Sequence, residues 1–162
     1  MNLLSVLQRR SPRKAARRIL PAALALLPLT ALPLSLGEAW AQPAARQPAP
    51  KGALVYFHYP LDGLRVPERF TVRIGLKEMG VAPAGTQWPN SGHHHLLIDT
   101  DPGPTDQPIP SDYNNIHLGN GQTEVVVTLP KGTHTLQLLL GDHTHTPHIP
   151  PVMSRKITVY VR

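Results

Sequence analysis

The sequence predicts an all-β fold, an immunoglobulin-like antiparallel sandwich of about seven strands. Apolar and polar residues alternate in short segments, which is the pattern of half-buried strands. Turn-forming residues separate the segments, as in Asp62-Gly63 and Pro130-Lys131-Gly132. No stretch after residue 52 shows the helical apolar period of roughly 3.6 residues.

Each predicted strand follows from its own residues. The segment 53–59 is rich in β-branched and aromatic residues. The segment 69–77 places Phe70, Val72 and Ile74 on one face and polar residues on the other. The same alternation predicts strands at residues 122–129, 133–140 and 155–161. The run HHHLLID predicts a strand at residues 93–99, and a short further strand is expected near residues 116–118.

The N-terminal region predicts export. A basic segment (9–18) precedes an apolar segment (19–36) and the small-x-small motif at 39–41, which is the order of a signal peptide. We expect residues 1–41 to be a signal peptide that is cleaved after Ala41. Arg17-Arg18 resembles the twin-arginine export pattern. We therefore expect an exported, periplasmic protein with no stable membrane insertion after cleavage.

Two further segments follow the predicted cleavage site. Residues 42–52 are rich in Pro and Ala and predict a disordered linker. Residues 53–162 form the predicted β-sandwich domain. Residues 1–50 contain seven Lys and Arg and one acid, whereas residues 51–162 contain nine of each sign. A neutral domain argues against a nucleic-acid-binding surface.

Histidine is the conspicuous residue type of the predicted domain, because all nine histidines follow residue 51. On a strand, His93 and His95 point to one face and His94 to the other. In an immunoglobulin-like sandwich, the loops before 93–99 and after 133–140 share one end. Simple alternation of strand direction brings the turn after residues 116–118 to the same end.

We therefore predict that this end binds a divalent transition metal, with copper and zinc as the leading candidates, because imidazole suits both. Asp99 and His94 are expected to support the imidazoles rather than to bind the ion, and Asp112 and Asp142 are further nearby acids. His58 and His134 should lie at the opposite end, His134 in a buried hydrogen-bonding role. The candidate metal ligands are His93, His95, His117, His143, His145 and His148.

Two other interpretations stay open. The histidines could lock loops through hydrogen bonds, in a module that binds protein or glycan through Trp88, Tyr113 and the Asn114-Asn115 pair. Trp88 would otherwise be a loop residue that covers the core. Clustered imidazoles could also sense pH.

The sequence matches known enzyme motifs poorly, so we expect a non-enzymatic protein. The nearest enzyme-like pattern is that of a cupin, formed by His93-x-His95-x-x-x-Asp99 and Pro130-x-Gly132-x-His134. A cupin would bring His134 to the metal, whereas the sandwich places it far away.

Three strings carry a family resemblance: GHHHLLID (92–99), GQTE (121–124) and GTHTLQL (132–138). They resemble the signature of a bacterial exported family, domain-of-unknown-function family 4399, over about residues 54–161. The resemblance implies an exported bacterial protein with a His-rich signature. It implies no activity, so no catalytic residue follows from it.

Overall fold

The structure, a computed structural model, describes residues 45–162. The predicted signal peptide and the first residues of the predicted linker lie outside the described residues. Every regular element between residues 45 and 162 is a β-strand, which confirms the all-β prediction. Within this part of the chain, no helix has the length and apolar character needed to cross a bilayer.

Between residues 45 and 162, nine strands form two sheets. The smaller sheet is antiparallel, with strand order β1-β3-β7. The larger sheet has the order β2-β9-β8-β5-β4, and β6 also pairs with β5. In chain order the strands are β1 (Leu54–Tyr59), β2 (Leu64–Val66), β3 (Arg69–Lys77), β4 (Gly80–Val81), β5 (Ser91–Ile98), β6 (Asn115–Leu118), β7 (Glu124–Thr128), β8 (Gly132–Gly141) and β9 (Ile157–Val161).

All the predicted strands are present, and the structure adds β2 and β4. These have three and two residues and pair in parallel with β9 and β5. Alternation cannot be recognised over so few residues, so the sequence did not indicate them.

The core lies between the two sheets. Val72 and Val127 of the smaller sheet pack in one buried apolar cluster with Leu96, Leu138 and Val159 of the larger sheet. Since successive side chains of a strand alternate, Leu96 on the inner face of β5 places His93 and His95 on the outer face.

Loops cover the outer face of the larger sheet. Ile109, from the Pro-rich loop after β5, packs there against Leu97 and Leu139. The loop after β8 folds back over the same face, where Gly141 pairs with Pro147. Strand β5 is consequently buried along its whole length. This explains why its sequence does not alternate between apolar and polar residues.

The described part of the predicted linker is attached to the domain. The Ala49 amide donates to the Ile149 carbonyl (2.7 Å), and the Ile149 amide donates to the Gln47 carbonyl (2.9 Å). We call residues 46–49 the N-terminal strap. The prediction of a disordered linker does not hold for these residues, because their backbone hydrogen bonds are satisfied by the loop that follows β8.

Candidate metal centre

Four histidines meet on the outer face of the larger sheet: His93, His95, His117 and His145, here called the His cluster. His93 and His95 leave the same face of β5. His117 lies directly opposite His95 on β6. His145 comes from the loop after β8. Three of the four positions are therefore set by the pairing of two neighbouring strands.

The ring nitrogens of the cluster converge. One ligand atom from each of the four residues lies within 4.8 Å of the other three. The Nε2 atom of His93 is 3.1 Å from Nε2 of His95 and 3.1 Å from Nδ1 of His145. His93 and His95 are fully buried, and the other two are half-buried.

Two of these spacings fit nitrogens that share one metal ion. Two nitrogens that bind one ion at about 2.0–2.1 Å lie roughly 2.9 Å apart at a right angle and roughly 3.3 Å apart at the tetrahedral angle. The two observed distances of 3.1 Å fall between these limits. Hydrogen bonding accounts for them less well, because Nε2 of His93 can donate or accept only one in-line bond.

A tight turn positions His145. The buried Asp142 accepts hydrogen bonds at Oδ1 from the Thr144 amide (2.8 Å), the Thr144 hydroxyl (2.7 Å) and the Thr146 amide (3.0 Å). The Ile109 amide donates to the His145 carbonyl (2.9 Å). His145 has a φ of 68°, a left-handed conformation that costs a non-glycine residue about 1–3 kcal/mol. Such strain persists where the surroundings impose it, as this turn does.

Two glycines make room for the imidazoles. A methyl group on Gly119 would overlap the ring of His117 and lie 2.5 Å from its Nε2 atom. A methyl group on Gly141 would lie 3.1 Å from Nε2 of His95 and 3.3 Å from Cα of His145. The absence of a side chain at both positions lets the rings approach one another.

Burial keeps the strand-borne imidazoles neutral. Burial, followed by repulsion from His145 and His117, lowers the pKa of His93 to about 4. Burial, followed by repulsion from His93 and His117, lowers the pKa of His95 to about 3. Both rings are therefore neutral at neutral pH, which is the form of imidazole that binds metal ions.

Asp142 brings a negative charge close to the cluster. Burial alone would raise the pKa of its carboxyl, but the hydrogen bonds from Thr144 and Thr146 outweigh burial and lower the pKa. The carboxylate is therefore ionised at neutral pH. Its charge opposes the fall in the pKa of His93 and would partly offset the charge of a bound cation.

Two of the six predicted ligands lie outside the cluster. His143 accepts a hydrogen bond at Nδ1 from the Gln47 amide (3.0 Å). His148 is fully buried, and its Nε2 donates to the Ser91 carbonyl (3.2 Å). His94 points to the inner face of β5, where its Nδ1 donates to the Gln122 carbonyl (3.1 Å). These histidines hold loops.

Asp99 does not support the cluster as expected. It lies just beyond β5, and its Oδ2 accepts a hydrogen bond of 2.6 Å from Nδ1 of His134. His134 also donates to the Pro130 carbonyl (2.9 Å), so it has the expected hydrogen-bonding role, but it is half-buried rather than buried. The pairing of β5 with β8 places both residues at the end of β5 remote from His93. The cupin arrangement, which requires His134 beside His93, is therefore wrong.

The other residues singled out in the sequence lie apart from the cluster. Asp112 accepts hydrogen bonds from the Asn114 and Asn115 amides of its own turn. His58 is exposed on β1. Trp88 is 59% exposed, so it is not a plug over the core.

Hydrogen bonding separates the two kinds of histidine. Among the described residues, the only hydrogen-bond partners of the cluster imidazoles are one another. Nδ1 of His93, Nδ1 of His95 and Nε2 of His117 are buried without a partner in this part of the chain, and so are Nε2 of His94 and Nδ1 of His148. The difference lies in the bonds that are made, because His94, His134, His143 and His148 each bond to a group that is not histidine.

Sequence reasoning missed the residues that shape the site rather than bind in it. Ile109, Gly119 and Gly141 have no side chain that suggests metal chemistry. Gly119 lies two residues after His117 of β6, and Gly141 ends β8 two residues before His143, so a glycine near a histidine was the only available signal. The N-terminal strap contacts residues that are more than 90 positions away, and nothing in the sequence indicates these contacts.

Comparisons with known proteins match the chain to one family and to one solved structure. The chain is similar to the endo-beta-1,4-mannanase from Thermotoga petrophila, with 16% identity and a TM-score of 0.40, over 68% of this chain and 20% of the mannanase. No curated protein matches the chain. The family described as "Domain of unknown function (DUF4399)" matches residues 72–162, which include the whole His cluster. Since this match covers more than half of the 162 residues, the chain belongs to the DUF4399 family.

Proposed function

We propose that this protein is an exported, non-enzymatic binding protein that holds one divalent transition-metal ion, Cu²⁺ or Zn²⁺, in the His cluster. The observation that carries the proposal is the convergence of four imidazoles that, among the described residues, have no hydrogen-bond partner outside the cluster. Nε2 of His93 faces both Nε2 of His95 and Nδ1 of His145, but it can make only one in-line hydrogen bond. A shared metal ion would satisfy all three of these nitrogens at once.

The donor set selects the class of metal. Four neutral imidazoles suit Zn²⁺, Cu²⁺ and Ni²⁺, whereas Mg²⁺ and Ca²⁺ prefer oxygen ligands. The chain contains no cysteine, so no thiolate can contribute. Burial of His93 and His95 limits access by water, and the half-buried His117 and His145 leave a route for the ion to enter.

The geometry supports binding rather than catalysis. Four imidazoles would fill a tetrahedral coordination shell, whereas a catalytic zinc site keeps one position open for water or substrate. The carboxylate of Asp142 accepts hydrogen bonds from the backbone of its own turn. An exported location would suit a role in which the ion is carried or sensed outside the cytoplasm, and it rests on the signal-peptide pattern alone.

A titration tests the proposed function. Tag-free protein should bind one equivalent of Cu²⁺ or Zn²⁺ with micromolar or tighter affinity in a calorimeter. The double variant His93→Ala/His95→Ala should lose binding, because both fully buried ligands are removed. His58→Ala is the matched control and should bind normally, since His58 is exposed on the other sheet. Equal losses from both variants would contradict the proposal.

A second candidate function has one specific observation in its favour. The exposed Trp88 lines a groove of about 420 Å³ together with Gln47, Gln87 and Asn90. An aromatic face with neighbouring amides suits a neutral glycan. On this alternative, Trp88→Ala would abolish retention on a glycan array and the double histidine variant would not. Absence of retention for the wild-type protein would refute it.

A further inference from the structure

We infer that the N-terminal strap is a positioning device for the metal site, so that docking of the strap and binding of the ion strengthen each other. This inference rests on the proposed function. It assigns a role to Arg46 and Gln47, which lie outside residues 72–162. Docking or release of this short segment would then regulate metal binding at the His cluster.

The strap holds the loop that carries His145, residues 142–149. The half-buried guanidinium of Arg46 donates from Nε to the Pro147 carbonyl (2.9 Å) and from a terminal nitrogen to the His148 carbonyl (2.6 Å). The backbone bonds between the strap and Ile149 continue the same contact. One charged side chain therefore fixes two consecutive carbonyls, which lie two and three residues after His145.

The side chain of Gln47 extends this hold to the other side of His145. Its amide donates to Nδ1 of His143 (3.0 Å), so the strap contacts the loop both before and after His145. His145 itself has the left-handed conformation described above, which the surroundings must impose. Releasing the strap would free the loop to relax that conformation and would move Nδ1 of His145 away from His93.

Binding and docking must be linked in both directions. If a docked strap strengthens metal binding by some factor, then a bound ion strengthens docking by the same factor. The loss of the charged hydrogen bonds of one arginine corresponds to roughly a tenfold change in an equilibrium constant. We therefore expect Arg46→Ala to raise the Kd for Zn²⁺ about tenfold.

Variants distinguish positioning from a merely structural role. Arg46→Lys keeps the charge but replaces the two-pronged donor by a single ammonium, so it should restore only part of the affinity. Arg73→Ala is the matched control, because it removes an exposed guanidinium from the smaller sheet. The decisive readout is the rise in Tm upon addition of Zn²⁺, which should be smaller in Arg46→Ala than in wild type. If Arg46 had a purely structural role, Arg46→Ala would lower the Tm of the metal-free protein and the Tm of the Zn²⁺-loaded protein by the same amount.

Hydrogen exchange on the wild-type protein tests the reverse coupling and does not depend on whether a variant folds. The Ala49 and Ile149 amides should exchange about tenfold more slowly when Zn²⁺ is bound. Unchanged exchange together with an unchanged Kd in Arg46→Ala would overturn the inference while the proposed function stands. Failure of the wild-type protein to bind Zn²⁺ or Cu²⁺ would overturn both.

Discussion

Substitution of Gly119 by alanine should remove His117 from the metal site without unfolding the protein. The φ of Gly119 lies outside the left-handed region, so alanine can adopt its backbone conformation. The added methyl group would overlap the imidazole of His117, at 2.5 Å from Nε2. Ordinary contact requires about 3.5 Å, so the ring must move by roughly 1 Å.

This displacement is large on the scale of a metal–nitrogen bond. Ligand distances in metal sites stay within about 0.2 Å of their ordinary values, so a shift of roughly 1 Å breaks the bond. Loss of a group that merely supports a ligand costs about 10- to 100-fold in affinity, and loss of the ligand itself should cost at least about 100-fold. That corresponds to about 2.7 kcal/mol of binding free energy.

A double-mutant cycle with calorimetric titration provides the assay. Gly119→Ala and His117→Ala should weaken Zn²⁺ binding equally, and the double variant should be no weaker than either. Gly103→Ala is the matched control, because a methyl group there would meet no atom within 4 Å. Two results would refute the reasoning: normal binding by Gly119→Ala, or losses that add in the double variant.

The remaining predictions concern three other positions. Gly141→Ala should weaken Zn²⁺ binding about tenfold in calorimetry, because its methyl group would shift His95 or His145 by a few tenths of an ångström, and unchanged affinity would contradict this. His143→Ala should leave the binding stoichiometry unchanged, because His143 lies outside the cluster; loss of the bound ion would show that the ligand set is wrong. Burial alone would lower the pKa of His134, but the hydrogen bonds to Asp99 and to the Pro130 carbonyl outweigh burial and raise it. A raised pKa contributes stability below the ordinary histidine pKa of about 6.5 and loses it as the pH rises through the folded-state pKa, so His134→Gln should lower Tm more at about pH 5.5 than at about pH 9. Equal decreases at the two pH values would exclude this origin of stability.

The sequence predicted the strands well because their alternation is a local property. Strand β3 matches residues 69–77 without any shift, and its inward residues Phe70, Val72 and Ile74 are those expected. For β5, the rule that successive side chains of a strand point to opposite faces correctly placed His93 and His95 on one face. It could not identify which face was the core, because the strand is buried on both sides and both faces look apolar. The site was therefore expected at the end of the sandwich, and it lies on the outer face of one sheet.

The loop ligand could not be chosen from the sequence. The histidines at positions 143, 145 and 148 lie in a loop, so the alternation of side-chain direction along a strand cannot tell which of them faces the site. The structure selects His145 through the hydrogen bonds of Asp142 and a left-handed backbone conformation. The strap shows the same limit, since its partners are tertiary contacts and its Pro/Ala-rich composition resembles that of a free linker.

The most direct test of the metal site counts its ligands. X-ray absorption at the metal edge should be measured on tag-free protein loaded with one equivalent of Zn²⁺ or Cu²⁺. The account predicts a shell of imidazole nitrogens at about 2.0–2.1 Å, four in the wild-type protein and one fewer in His145→Ala. A protein that retains no metal, or a shell made mainly of oxygen that does not change in His145→Ala, would contradict the account.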